Sequence, residues 1–149
     1  MSKLTITDLN VGGAPEGYDA LFVAELVREH GGPVLHIARD DRRAAAMADA
    51  LAFFAGDIPV LRFPAWDCTP YDRTSPNAEV SAQRMATLAA LADGVGHAAI
   101  VLATVNAATL RTPARKTVRG GSFTAEVGKR VDIDGLTDYL VRAGFNRAT

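Results

Sequence analysis

At 149 residues, 48% hydrophobic and 22% charged, the chain suits one globular domain in which about two-thirds of the unfolded surface can be buried. A formal net charge of −1 excludes a global electrostatic footprint for nucleic acid or an anionic membrane. One cysteine allows no internal disulfide, and no apolar run approaches the ~20 residues of a membrane span, so a cytoplasmic location is expected.

Helical and strand patterns alternate along the chain. Residues 18–30 place Phe22, Val23, Leu26 and Val27 on one helical face, and Pro33–Ala38 reads as a buried strand. Asp40 is placed to cap a helix carrying Ala44, Met47, Ala48, Leu51 and Phe54. Val60–Phe63 is the next strand. A helix over 76–92 follows, with Ser75 as its cap, Pro76 as its first residue, and Met85, Leu88 and Leu91 inward. Ala98–Ala103 is apolar throughout and belongs at the centre of a sheet. Strands and helices in this alternation predict an α/β fold, a parallel sheet flanked by helices on both faces.

After Leu110 the pattern changes. Arg111–Arg119 reads as basic and irregular, Gly120-Gly121 as a turn, and Ser122–Val127 as an antiparallel or edge strand. Asp132 or Asp134 is placed to cap a last helix through Leu136, Tyr139, Leu140 and Val141, with Gly144 as its stop. The expected organisation is an α/β domain over 1–111, a connector over 112–121, and the truncated beginning of a second α+β subdomain over 122–149. A fragment of a longer protein is expected.

Candidate sites fall in three places. Gly12, Gly13 and Gly17 precede the first helix, and Gly12 and Gly17 match the glycines of a phosphate loop, G-x-x-x-x-G-K-[ST]. Tyr18 and Asp19 stand where that loop needs a lysine for the phosphates and a hydroxyl for Mg²⁺, so no cofactor is expected here. The second place is Phe63–Pro76, which holds the only tryptophan, the only cysteine and three of the seven prolines. Its prolines make it stiff, and Trp66 is expected as a buried anchor. Asp67, Tyr71, Asp72 and Arg73 lie on this loop at the carboxyl end of a strand, where open sheets place ligands. The local reading gives Asp72 to turn N–H groups, with Arg73 or Arg84 as its ion partner; the other reading is a domain contact. Third, Arg111, Arg115, Lys116 and Arg119 put four cations in nine residues, either a solvated or inter-domain face or a set of phosphate contacts. No aromatic platform for bases interleaves them. Cys68 lacks a partner, His30, His36 and His97 are scattered, and no metal-ligand spacing occurs.

The run Phe63-Pro64-Ala65-Trp66-Asp67-Cys68-Thr69-Pro70-Tyr71-Asp72-Arg73-Thr74-Ser75-Pro76, followed by Arg84 and Leu88, resembles a known signature. It is similar to the FP-W-x-x-x-PYD-x-x-SP … R-x-x-x-L pattern of the N-terminal, UvrB-like module of bacterial transcription-repair coupling factors. The resemblance implies a degenerate P-loop NTPase-like fold like the first domain of the excinuclease protein UvrB, without its ATP site. The connection from Tyr71 to Pro76 is also too short for that protein's DNA-clamping hairpin. It implies a non-catalytic scaffold in nucleotide excision repair that engages the excinuclease protein UvrA, mainly through the incomplete second subdomain. The parent is implied to be an ATP- and Mg-dependent, helicase-like DNA translocase that meets RNA polymerase, DNA and its own other domains, and no membrane. The alternative is a free-standing nucleotide-binding α/β enzyme with an atypical phosphate loop.

Overall fold

The computed structural model describes residues 10–68, 75–95, 97–120, 123, 125 and 127–145. In chain order the elements are α1 (Tyr18–His30), β1 (Pro33–Ala38), α2 (Asp41–Phe54), β2 (Val60–Phe63), α3 (Ala78–Asp93) and β3 (Ala99–Thr104), then α4 (Val105–Ala108), α5 (Arg115–Gly120) and α6 (Ile133–Arg142). The three strands form one parallel sheet in the order β1-β3-β2.

Every residue of β3 is buried, which is why its sequence is an unbroken apolar run rather than an alternating one. Ile100 and Leu102 face α1 and α2, where they pack among Val23, Val27, Met47 and Leu51. Val101 and Ala103 face the other side and pack with Phe63, Ala107 of α4, and Leu88 of α3. Helices therefore lie on both faces of the sheet, as the alternation predicts, although Leu35 and Ile37 of β1 remain exposed.

Helix boundaries follow their caps. The Asp40 carboxylate accepts the Arg43 N–H at 2.8 Å and starts α2 as expected. The third helix departs from expectation. Asn77, not Ser75, is its cap, with Asn77 Oδ1 accepting the Glu79 N–H at 2.8 Å, so Pro76 precedes the helix. The Asn77 N–H in turn donates to both oxygens of Asp67, at 3.1 and 3.2 Å. That staple fixes the backbone of the residue whose side chain then caps the helix. At the far end Asp132 caps α6, and Gly144 closes it at φ 88°, a left-handed conformation in which a side chain is strained.

The basic stretch is not irregular. Its second half is α5, packed on α3 with Val118 buried. Arg115 Nε donates to the Ala92 carbonyl at 2.9 Å, and Arg119 pairs with Asp93 at 3.8 Å. Both cations thus sit at the carboxyl end of α3, where unpaired carbonyls and the helix dipole favour positive charge. In the stretch expected as a strand, Phe123 and Ala125 lie outside any strand and Val127 is in a turn. Helix α6 has no buried residue, and its Ile133 is 72% exposed.

The outer edge of β2 is closed by α3. Ile100 N–H donates to the Pro59 carbonyl, so the odd-numbered carbonyls of β2 point at β3 and the Arg62 carbonyl points outward. Thr87 Oγ1 donates to that Arg62 carbonyl and Arg84 Nη1 to the carbonyl of Pro64. The Arg84 guanidinium lies 4.1 Å from the Phe63 ring centroid and 4.4 Å from that of Trp66, and the residue is only 2% exposed. Burial holds its pKa below the ordinary arginine value. Trp66 is not the buried anchor expected: it is 37% exposed and serves as one wall of the arginine's slot. Two aromatic faces and a carbonyl oppose the cation's desolvation cost, while its buried Nε has no hydrogen-bond partner among the described residues.

Arg84→Ala is expected to lower stability by about 3 kcal/mol in urea denaturation, since it removes the stacking and leaves a carbonyl unpaired. Thr87→Val, which deletes one hydrogen bond at near-constant volume, is expected to cost about 1 kcal/mol. Equal costs for the two would contradict the central place given to the stack.

Candidate functional site

Helix α1 runs into β1 through Gly31-Gly32, so its first turn lies at the carboxyl end of β1, beside the start of α2. That is where parallel sheets bind ligands, and it is where the glycine loop stands. Gly17 takes φ 86° and caps α1 without a side chain. An added Cβ at Gly12, Gly13 or Gly17 would meet no atom within 4 Å, so these glycines serve the turn rather than a close approach.

The loop's acids are already partnered. Arg43 of α2 donates one terminal nitrogen to Asp19 at 3.2 Å and the other to Glu16 at 3.4 Å. Asp19 also accepts the Ala20 N–H at 3.0 Å. An incoming phosphate would therefore meet two carboxylates and an arginine whose fork is occupied. Tyr18, at the position of the phosphate-binding lysine, supplies no cation. Gly12, Gly13 and Gly17 precede α1, Tyr18 and Asp19 open its first turn, and sequence reasoning missed Arg43. Its pairing spans 24 residues, and a long-range ion pair has no local signature in a sequence.

His36 joins this group. With Asp19, Arg39 and Arg43 it lines a cleft of about 440 Å³ at the end of β1. Burial holds its pKa below the ordinary 6.5, the nearby Asp19 charge opposes this, and Arg43 reinforces it. His36 belongs to the wall of the cleft, consistent with a sheet-end histidine. Among the described residues no three His, Cys, Asp or Glu side chains are grouped to hold a metal.

The other expected site residues do not converge. Asp67 is spent on the Asn77 staple. Tyr71, Asp72 and Arg73 lie outside the described residues. Arg111 lines a cleft of about 660 Å³ with Trp66, Cys68, Pro76 and Leu110, while Arg115 and Arg119 are committed to α3. Lys116 is exposed on α5.

No family model matches the chain. Over 132 residues, 83% of the chain, it is 34% identical to the transcription-repair-coupling factor of Myxococcus xanthus. Over 126 residues, 85% of the chain, it is 29% identical to the transcription-repair-coupling factor of Escherichia coli (strain K12). A third relative of the same name, from Bacillus subtilis (strain 168), is 26% identical over 129 residues. The chain is homologous to the transcription-repair coupling factors. It spans about a tenth of the length of these relatives, 11% in each case. The aligned share of the chain is large enough that the similarity to coupling factors extends well beyond the tryptophan loop. No helix among the described residues is long and apolar enough to cross a membrane.

The lowered pKa of His36 makes a prediction about stability. Between its folded value and 6.5 the unfolded chain holds a proton that the folded chain does not, so stability falls as pH drops through that window. Asp40, held below 3.8 by the Arg43 N–H and by Arg39, acts in a separate, more acidic window. Denaturation at pH 7.5 and 5.5 is expected to show a loss that His36→Asn reduces. A His36 resonance titrating above 6.5 in NMR would contradict the assignment.

Proposed function

We propose that this chain forms a non-catalytic, N-terminal module of a transcription-repair coupling factor. On this reading it resembles the first domain of UvrB and helps bring the excinuclease protein UvrA to stalled RNA polymerase. ATP- and Mg-driven movement along DNA then belongs to other parts of the parent polypeptide. The similarity to coupling factors over 83–85% of the chain supports the placement.

The observation that carries the non-catalytic half is the Arg43 fork on Glu16 and Asp19. Phosphoryl transfer is positioning plus charge stabilisation, and both need a free cation and a metal-binding hydroxyl at this loop. On this reading the loop stands where a phosphate site would lie, but its acids and Arg43 are already paired with one another. Contacts to UvrA are assigned mainly to a second subdomain that opens near Gly121. Helix α6 supports this, because an amphipathic helix with no buried residue lacks the surface it is patterned to cover.

Two measurements test the reading. Calorimetry with ATP and Mg²⁺ is expected to show no micromolar binding to the 149-residue chain, and Mg²⁺-dependent binding in that range would overturn it. In pull-downs, UvrA is expected to retain a polypeptide extended by roughly 100 residues, a domain's worth, much better than this chain. Equal retention would move the contact surface onto the α/β unit.

A further inference from the structure

Two segments far apart in the sequence meet at the carboxyl ends of neighbouring strands. The chain leaving β2 carries Trp66, and the chain leaving β3 runs through α4 to Arg111. Between them lies the cleft of about 660 Å³, whose walls include Trp66, Pro76, Asn106, Leu110 and Arg111. Parallel sheets place ligands outside the carboxyl ends of their strands, in clefts of this order of size. At the end of β1 the glycine loop has its charges paired internally; in this second cleft the charge is left open.

Three side chains in the cleft are uncommitted on the side that faces it. The Arg84 guanidinium covers one face of the Trp66 indole, 4.4 Å from the ring centroid, and Arg84 is buried. Trp66 is 37% exposed, so the cleft meets the opposite face and the rim of its ring. Held by Arg84, that ring is a flat surface already in place before anything binds. The side chains of Asn106 and Arg111 make no hydrogen bond or ion pair among the described residues. No acid lines the cleft, and the Asp67 carboxylate next to Trp66 is turned to the Asn77 N–H. A flat aromatic face, an amide that both donates and accepts, and an unopposed cation match the three parts of a nucleotide: the base plane, the base edge and the phosphate. Along the sequence the basic run has no aromatic platform, but the fold sets Trp66 beside its first cation.

We infer that this cleft takes one unstacked nucleotide of a single-stranded nucleic acid, its base on Trp66, its base edge toward Asn106 and its phosphate on Arg111. A duplex does not suit it, because paired bases are stacked on one another and show only their edges in the grooves. An acidic peptide would satisfy Arg111 but leave the indole face uncovered. With one cation in the cleft and a net charge of −1 on the chain, binding is weak and sensitive to salt.

Trp66 is the only tryptophan of the 149-residue chain, so its fluorescence reports on the cleft directly. At low salt a short oligothymidylate is expected to quench it saturably, and an abasic strand of equal length and charge is expected to leave it unchanged. Arg111→Ala is expected to weaken binding and to lower the slope of log affinity against log salt by about 0.7, the share of one phosphate on a single strand. Asn106→Ala is expected to weaken binding at an unchanged slope. Lys116→Ala, which removes an exposed cation outside the cleft, is expected to change neither. Absence of quenching overturns the inference, as does equal quenching by the abasic strand or by duplex DNA. So does a salt slope for Arg111→Ala equal to that for Lys116→Ala. Equal quenching by thymidine monophosphate at the same nucleotide concentration would overturn the strand in favour of a free nucleotide.

Discussion

The burial of β3 on both faces is the constraint from which the rest of the molecule follows. A strand with the sequence Ala99–Thr104 has no polar side to give to water, so it needs helices above and below and a strand on each side. Helices α1 and α2 supply one layer, α3 and α4 the other, and β1 and β2 the flanks. Once these are placed, the first turns of α1 and α2 meet at the carboxyl end of β1. The position of the glycine loop is thus a consequence of packing, whatever the loop binds.

The glycine loop stands at the strand ends, where open α/β sheets commonly place ligands. The crevice at strand ends is fixed by topology, but its charge is set by a few side chains. There Arg43 pairs with Glu16 and Asp19, all three of them exposed side chains. Exposed pairs contribute little stability, about 0–1 kcal/mol, so these pairs matter little for folding. The stabilising polar device is elsewhere, in the Arg84 slot between Phe63 and Trp66.

The elements of the α/β unit were legible in the sequence, because hydrophobic periodicity marks them directly. The strands at Pro33–Ala38 and Val60–Phe63, the central apolar strand and the Asp40 cap all stand where the pattern puts them. What was hidden depends on distance in space. Ser75 before Pro76 reads locally as a cap, whereas Asp67, ten residues before Asn77, holds the Asn77 backbone and Asn77 caps instead. The basic run hid α5 because its cations answer to carbonyls of α3, more than twenty residues away. Trp66 carried the composition of a core residue, but Arg84 takes the buried position and the indole lies over it. The glycine loop was recognisable; the arginine that pairs with Glu16 and Asp19 was not.

The unequal way in which the elements are held sets the most direct test of this description. Native-state hydrogen exchange reports local stability residue by residue, and groups buried on all sides open only when the whole unit unfolds. The amides of Ile100–Ala103 are expected to exchange slowest in the molecule, at the global unfolding free energy. Those of α6, which buries no residue, are expected to exchange through local opening at far lower cost. Protection of Leu136–Leu140 equal to that of Ile100–Ala103 would contradict a fold organised around β3 alone.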